Sequence, residues 1–515
     1  MAKTGAELLT EILEEGHFVR APDTEAAEKA RQEKEARDVI SEFVKQVSDK
    51  KLVVDKDTVA GIQARIAEID RRIGEQLDQI LHAKEFQYME ARWRGLHHLV
   101  MNSETGTSLK LRVLNTSRED LRKDFEGAPE FDRSNLFKKI YEEEYGTFGG
   151  APYGALIGDY EFGSSPIDIG LLESIAHVAA AAHAPFIAAA SPELFDQNAF
   201  TSIGEPGDLA KIFEGSQFIP WTEFRKKEDS RYVALTLPRV LMRLPYGGKN
   251  GTPVEGFTYE EDLGYQVVEV KDDKGQPVLD GGKPKKDKIG TNHGNFLWGN
   301  PAYALGVRIT EAFARYKWCA ALRGVEGGGL VSDLPVITFR DGGGDLVVKC
   351  PTEVAITDRR ENELSELGFM ALCYKKNSAQ AAFFGGSTAQ KPTAYNTASA
   401  TANARLSAQL PYILAASRFA HYIKVIMRDK IGSFTSREGV SNYLNNWIAD
   451  YVLLNDGAGQ DTKARLPLRE ARVDVTDVPG KPGAYRATVF LKPHFQLNEL
   501  TVSMRLVAEL PPPAA

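Results

Sequence analysis

The last alternating run of the chain, Leu500 to Leu510 (LTVSMRLVAEL), puts Leu500, Val502, Met504, Leu506, Ala508 and Leu510 on a single face when side chains alternate with a period of two. That pattern predicts one long strand, and a long strand at a chain terminus can leave its own domain to pair with another chain. Upstream, Ala471 to Val478 and Tyr485 to Leu491 also alternate. They flank Pro479-Gly480-Lys481-Pro482-Gly483, a sequence with hairpin chemistry. The tail is therefore expected to be a small sheet with an exposed edge. Unpaired edge groups either aggregate or serve strand addition between subunits, so an assembly protein is the leading expectation.

Length and composition narrow the classes. At about 150 residues per domain, a chain of 515 residues has room for about three domains or fewer and for a sizeable core. Its 43% hydrophobic and 26% charged residues are ordinary for a soluble globular protein. A formal net charge of -8 argues against a general nucleic-acid binder, because phosphate binding needs clustered excess Lys and Arg. The opening MAKTGAELLTEILEEG lacks the basic segment and apolar run of a secretory signal. No run approaches the roughly 20 apolar residues of a membrane span. The most apolar stretch, Ile175 to Ala190, is interrupted by His177, His183 and Pro185 and reads as a buried helix leading into a strand. Cys319, Cys350 and Cys373 are odd in number, far apart and in no CxxC pair; they suggest neither disulfides nor zinc and fit a reducing cytoplasm.

Four stretches follow from the patterning: a flexible helical segment over 1–55, a helical partner-interacting region over 56–130, an α/β core over 131–395, and helices with the terminal sheet over 396–515. In the first, Leu8, Leu9, Ile12 and Leu13 make a narrow apolar stripe on a short acidic helix. Burying four side chains returns free energy of the same order as ordering the segment costs, so it is expected to stay loose until something grips it. Thr24 to Lys50 reads as a charged helix with Val39, Ile40, Phe43, Val44 and Val47 along one side. Val59, Ile62, Ile66, Ile69, Ile73, Leu77 and Ile80 then recur at steps of three or four, a near-heptad stripe that packs either on the parent domain or on a partner helix.

From Phe131 the rhythm becomes helix (Asp132 to Glu144), strand (Tyr153 to Phe162), helix (Ile167 to His183) and strand (Phe186 to Ala190), which predicts a helix-covered sheet. Arg231 to Leu244 adds a strand-rich stretch interrupted by Pro238. Residues 247–292, rich in Gly, Lys and Asp, read as a surface insertion, a hairpin on a flexible base with one extended piece at Tyr265 to Val270. A helix is expected over Asn300 to Leu322, and strands over Pro335 to Phe339 and Leu346 to Cys350. Two long helices follow, Asn396 to Lys430, broken near Pro411, and Arg437 to Leu454.

Motifs for catalysis are missing from this sequence. Neither Gly327 to Gly329 nor Gly342 to Gly344 has P-loop spacing, and both read as turns; HExxH and GxSxG do not occur. His97 and His98 are adjacent and point apart on a helix, while His177 and His183 do not share a face. Glu142 to Glu144 read as a solvated helix face. Asp159 and Glu161 share a strand face, as two catalytic carboxylates could, although one such acidic pair is common by chance.

Several runs are more particular. LDQILHAKEFQYMEARWRGLHHLV (Leu77 to Val100), YEEEYGTFGGAPYGALIGDYEF (Tyr141 to Phe162) and EDSRYVALTLPRVLMRLPYG (Glu228 to Gly247) resemble the large sheath subunit of bacterial type VI secretion systems, the TssC or VipB family. The resemblance continues in order through FLWGNPAYALGVRIT (Phe296 to Thr310), CPTEVAITDRRENELSELGF (Cys350 to Phe369), SRFAHYIKVIMRDKIGSF (Ser417 to Phe434) and PGKPGAYRATVFLKPHFQL (Pro479 to Leu497). It implies a non-enzymatic cytoplasmic protein of mixed α/β (α+β) fold, with no cofactor, metal or nucleic acid and no insertion into membrane. The core would be sheath-type, and the C-terminal sheet would be completed by strands from neighbouring subunits.

The resemblance also implies partners. These are a small sheath subunit (TssB or VipA), further copies of the chain in stacked hexameric rings, an inner tube of Hcp, a baseplate, and the AAA+ ATPase ClpV, which disassembles the contracted tube. On this reading Leu500, Val502, Met504, Leu506, Ala508 and Leu510 are the inter-subunit strand. Leu8, Leu9, Ile12 and Leu13 lie where some members carry the ATPase recognition segment; the alternative is a frayed terminus packed on a neighbour. Ile62, Ile66, Ile69, Ile73 and Leu77 are candidate contacts for the small subunit's helix. The 247–292 insertion is longer than the connection expected in the family. Two rival expectations stand beside this one: a phage-tail-like sheath that needs no small partner, and an α/β enzyme using Asp159 and Glu161.

Overall fold

The computed structural model describes scattered positions between 31 and 41 and residues 58–494, except 205–206, 249–250, 270–278, 281–282, 285, 290, 341–345, 431–435, 456 and 480–484. The expected sites at Leu8, Leu9, Ile12 and Leu13, and at Leu500, Val502, Met504, Leu506, Ala508 and Leu510, lie outside the described residues. The chain divides into two compact units: Met1–Asp78 with Pro253–Glu260, and Gln79–Thr252 with Glu261–Ala515.

Helix α1 (Thr58–Leu81) carries most of what is described in the first unit. Ion pairs one turn apart, such as Arg65 with Glu68 at 2.8 Å and Arg72 with Glu68 at 2.5 Å, support its polar sides. The segment Pro253–Glu260 packs on the face that bears Asp70, Gly74 and Asp78. The Thr258 N–H donates to Asp70 at 3.1 Å, the Tyr259 hydroxyl donates to Asp78 at 2.7 Å, and a Cβ on Gly74 would lie 3.2 Å from the Tyr259 ring. A neighbouring face is left open: Ile66, Ile69 and Ile73 are exposed, and Ile62 and Leu77 are half-buried.

In the second unit, α2 (Lys84–Met101) and α3 (Arg118–Glu126) precede the sheet, α3 starting from a reciprocal capping box between Ser117 and Asp120. β1 (Leu156–Phe162), α4 (Pro166–Ala182), β2 (Phe186–Ala190) and β3 (Val233–Leu237) then build parallel pairs. Ser165 caps α4, Pro166 opens it, and His183 at φ 51° closes it. After β4 (Gln266–Glu269) and β5 (Lys286–Ile289) come α5 (Ala302–Tyr316), β6 (Leu330–Val331), β7 (Thr338–Arg340), β8 (Leu346–Val348), β9 (Phe369–Tyr374) and β10 (Ala381–Phe383). One six-stranded sheet has the order β1-β2-β3-β9-β10-β6. Its first four strands are parallel, and β9-β10 and β10-β6 are antiparallel.

Every residue of β2 and β3 is buried, as a parallel strand covered on both faces requires. Phe186, Ala188, Leu235, Phe369 and Ala371 face α4 and the Trp221–Phe224 region, whereas Ile187, Ala234, Met370 and Leu372 face α5. β9 and β10 are absent from the expectation drawn from the sequence. FMALCY has no apolar/polar alternation, and a short unbroken apolar run cannot be told from buried helix by periodicity. The helix expected to reach Leu322 stops at Tyr316, where Lys317 turns to φ 66°. The break expected near Pro411 is present: the helix Ala398–Ser407 ends first, and Pro411 sits in the first turn of the next, α6 (Leu410–Asp429).

The 247–292 insertion also needs correction. β4 and β5 do pair as a hairpin, but β5 joins β7 in parallel at Ile289 and Arg340, giving a four-stranded sheet β8-β7-β5-β4. The base at Glu261 and Leu263 is buried, so the expected flexible base is a built part of the second unit.

Close approach of α2, α5 and β1 depends on two glycines. A Cβ on Gly95 would lie 2.3 Å from the Tyr303 ring, and one on Gly306 would lie 2.5 Å from Ile157 and 3.2 Å from Leu99. Gly170 on α4 has nothing within 4 Å. Gly95→Ala and Gly306→Ala are therefore expected to lower the guanidinium midpoint, at a cost of about 1 to 3 kcal/mol each through overpacking. Gly170→Ala should raise the midpoint slightly by helix propensity; equal effects at all three positions would contradict the packing described.

Candidate assembly interface

The two alternating runs that flank the Pro-Gly turn fold as expected. β11 (Leu468–Asp477) and β12 (Tyr485–Pro493) pair antiparallel from Leu468 opposite Pro493 to Asp477 opposite Tyr485. Tyr485, Ala487, Val489 and Leu491 turn toward a cluster that contains Val473, Val475, Phe419, Trp318 and the buried side of α7 (Arg437–Ala449), namely Val440, Leu444 and Ile448. Trp318 stacks on Phe419 with ring centroids 4.3 Å apart. The other face is open, with Phe490 half-exposed beneath the Arg472 guanidinium at 4.9 Å.

The two edges of this hairpin are not equivalent. Asn445 of α7 occupies the β11 edge at Val473: its Oδ1 accepts the Val473 N–H at 3.0 Å, and its Nδ2 donates to the Val473 carbonyl at 2.8 Å. At the start of the same strand the Leu453 N–H donates to the Leu468 carbonyl at 2.8 Å. Both polar groups of Val473 therefore point away from β12, which makes Val473–Val489 a non-hydrogen-bonded pair. Such pairs recur at every second residue of an antiparallel ladder, so the N–H and C=O groups of Ala487, Val489 and Leu491 point to the far side of β12. There they meet no backbone partner among the described residues. The chain leaves β12 from a fixed point: the His494 N–H donates to the Pro467 carbonyl at 3.1 Å, and the Tyr412 hydroxyl donates to the His494 carbonyl at 2.8 Å.

Asp159 and Glu161, the acids of the enzymatic expectation, go to different partners. Arg239 holds Glu161 through two bonds of 2.6 and 2.7 Å and approaches Glu353 at 3.6 Å. Asp159 faces Arg92 at 3.4 Å and the Asn300 amide at 3.3 Å, and burial raises its pKa. Among the described residues no group of three or more His, Cys, Asp or Glu could hold a metal, and no helix is long and apolar enough to cross a membrane.

A second buried ion group was missed from sequence. Arg243 binds Glu261 at 2.6 and 3.0 Å and Glu90 at 2.9 Å, lies over the Tyr246 ring at 4.5 Å, and shares Glu261 with His82 at 3.2 Å. The available signal was two arginines, Arg239 and Arg243, inside the otherwise apolar stretch LPRVLMRL. Burial by itself would raise the Glu261 pKa; hydrogen bonds from His82 and Arg243, with the Arg243 charge, overcome it and hold the pKa at about 2.

Two models of one family match the chain. The model described as EvpB/VC_A0108, tail sheath N-terminal domain, covers residues 63–390. The model described as EvpB/VC_A0108, tail sheath gpW/gp25-like domain, covers 399–510. A Pseudomonas aeruginosa protein named type VI secretion system sheath protein TssC1 is 44% identical over 522 residues, spanning 98% of this chain and 99% of that protein. Two solved structures of the anti-feeding prophage also align. Its six-fold symmetrised baseplate does so at TM-score 0.29 and 9% identity, and its contracted helical sheath at 0.28 and 10%, each over 65% of this chain and 66% of that one. Those scores are too low to bear on the fold.

The depressed Glu261 pKa has a definite sign. A carboxylate whose folded pKa lies below its ordinary 4.5 contributes stability that is present above that value and lost as pH falls toward about 2. Glu261→Gln is expected to cost about 3 kcal/mol at pH 7. The difference from the parent chain should close between pH 4.5 and about 2 in denaturant titrations; a difference that is constant with pH would contradict the assignment.

Proposed function

The chain belongs to the VipB (EvpB/VC_A0108) tail sheath family and is a large sheath subunit of type VI secretion, and on that premise we propose how it assembles. It pairs with the small sheath subunit (TssB or VipA) in the cytoplasm, and the heterodimers stack as hexameric rings into a helical tube around Hcp on a baseplate. Contraction of that tube drives the inner tube outward, and ClpV takes the contracted form apart. A head-to-tail contact that does not close on itself is the symmetry such a filament needs.

The observation that carries the assembly reading is the β12 edge, open among the described residues, beside a fixed exit point. The strand Leu500 to Leu510 of a neighbouring copy adds to that edge, its backbone meeting the outward groups of Ala487, Val489 and Leu491. Asn445 bars the same addition at β11. The rigid cores then rotate and slide between two packings while the strand keeps neighbours joined. The open Ile62, Ile66, Ile69, Ile73 and Leu77 stripe of α1 takes a helix of the small subunit. The Leu8, Leu9, Ile12 and Leu13 segment is the handle for the ATPase.

Deleting Leu500 to Leu510 in a chain co-expressed with the small subunit should leave a soluble heterodimer with an unchanged melting temperature and no tubes in electron micrographs. Ordinary tubes from that deletion would defeat the strand-addition reading. Changing Leu9 and Ile12 to Asp should spare tube assembly and slow ATPase-driven disassembly at least about tenfold, the loss expected when apolar anchors leave an interface. Disassembly at the parental rate would remove the handle from the account.

A further inference from the structure

Where β12 ends, the second unit holds a small pocket. Pro493 and His494 line it from the end of β12, Pro467 from the start of β11, and Tyr316, Pro411 and Tyr412 from α5 and α6. Its volume is about 50 Å³. Sites for cofactors and small molecules run to about 300–1,000 Å³, so this one suits a single small side chain or ring. Both tyrosine rings are fixed by their hydroxyls: Tyr316 donates to Asp461 at 2.8 Å and Tyr412 to the His494 carbonyl at 2.8 Å. The prolines have no N–H to offer, and Ala321, Ala415 and Ala464 leave the space open by their small size. Glu326 and Lys463 in the lining are of opposite sign, so the pocket sets no strong demand on charge.

A groove walled by tyrosine and proline is the kind that receives polyproline segments, whose backbone is already extended and loses little freedom on docking. This sequence holds one run of three prolines, Pro511-Pro512-Pro513, directly after Leu510. Proline cannot donate to a ladder, so a strand over Leu500 to Leu510 has to end there.

We infer that Pro511 to Pro513 of a neighbouring copy seat in this pocket, with the added strand running parallel to β12. The inference rests on the strand addition proposed above. Leu500 to Leu510 is slightly longer than the nine-residue β12, so a parallel strand that starts level with Tyr485 delivers its prolines to the Pro493 end. An antiparallel strand would deliver them to the Tyr485 end instead. The chain's own tail cannot reach the parallel register. It would first have to return along β12, about 27 Å for a strand of that length. The stretch from His494 to Leu500 spans at most about 22 Å. The pocket also draws on both matched domains, since Tyr316 lies within 63–390 and Tyr412, Pro467 and Pro493 lie within 399–510. A seated tail therefore bridges the two domains of the receiving copy, and it adds avidity to the strand without lengthening the ladder.

The test uses tubes assembled from the small subunit and an equal mixture of isotope-labelled and unlabelled full-length chain, with the photo-crosslinker p-benzoylphenylalanine in place of Pro512. Peptide mapping after irradiation is expected to find position 512 joined to the 316–327 or 460–467 segments by crosslinks that mix the two labels. In unsubstituted background, Ala321→Leu fills the pocket, and a second variant replaces Pro511, Pro512 and Pro513 by Ser. Each should raise the heterodimer concentration needed for tubes at least about fivefold, and the two together no further than either alone. Mixed-label crosslinks to the Tyr485 end of β12 would overturn the seating and leave strand addition standing. Crosslinks to neither end, additive losses, or assembly unchanged by either variant would overturn the seating as well. Crosslinks within single-label chains only would overturn both the seating and the strand addition.

Discussion

A backbone amide facing water at a strand edge is satisfied only provisionally. Its hydrogen bonds with solvent exchange at little net cost for bonds with another backbone, and a row of such groups prefers a partner strand to a disordered loop. The fold presents this situation at β12, where alternate N–H and C=O groups point outward while the inward side chains anchor the strand on α7 and Phe419. Asn445 makes the two edges unequal by filling the middle of the complementary β11 edge at Val473. A hairpin with one edge interrupted at its middle favours strand addition at the other.

The rest of the second unit supplies rigidity behind that edge. The six-stranded sheet is covered on both faces, and Gly95 and Gly306 let α2 and α5 come close to β1. Arg239 and Arg243 each hold two carboxylates, binding residues distant in sequence across β1, α2 and the insertion base. Buried pairs of this kind add little net stability over apolar packing, but breaking one leaves a buried charge, so they favour one arrangement of the elements over its alternatives. A subunit that transmits a contraction needs such a core, since a soft one would absorb the motion locally.

How much of this could be read from the sequence depended on whether the signal was local. The C-terminal hairpin was legible because Tyr485 to Leu491 alternate around a Pro-Gly turn, and β2 and α4 because their apolar runs sit between clear caps. β9 and β10 were illegible because fully buried strands lose the alternation that marks a strand. The insertion was misread at its base because its Gly, Lys and Asp content describes the exposed part, whereas Glu261 is held by Arg243, far closer in space than any pattern could show. Asn445 was invisible for the same reason: an Asn on a helix face has no sequence feature that says it seals a strand.

The central claim is that the strand at Leu500 to Leu510 belongs, in the assembled tube, to the sheet of another copy. A cryo-electron microscopy map of tubes formed with the small subunit, at a resolution that traces the backbone past His494, tests it directly. The account predicts density for that strand running beside Ala487, Val489 and Leu491 of a neighbouring copy. The same strand folded back onto the β12 of its own chain, or packed inside its own core, would contradict it.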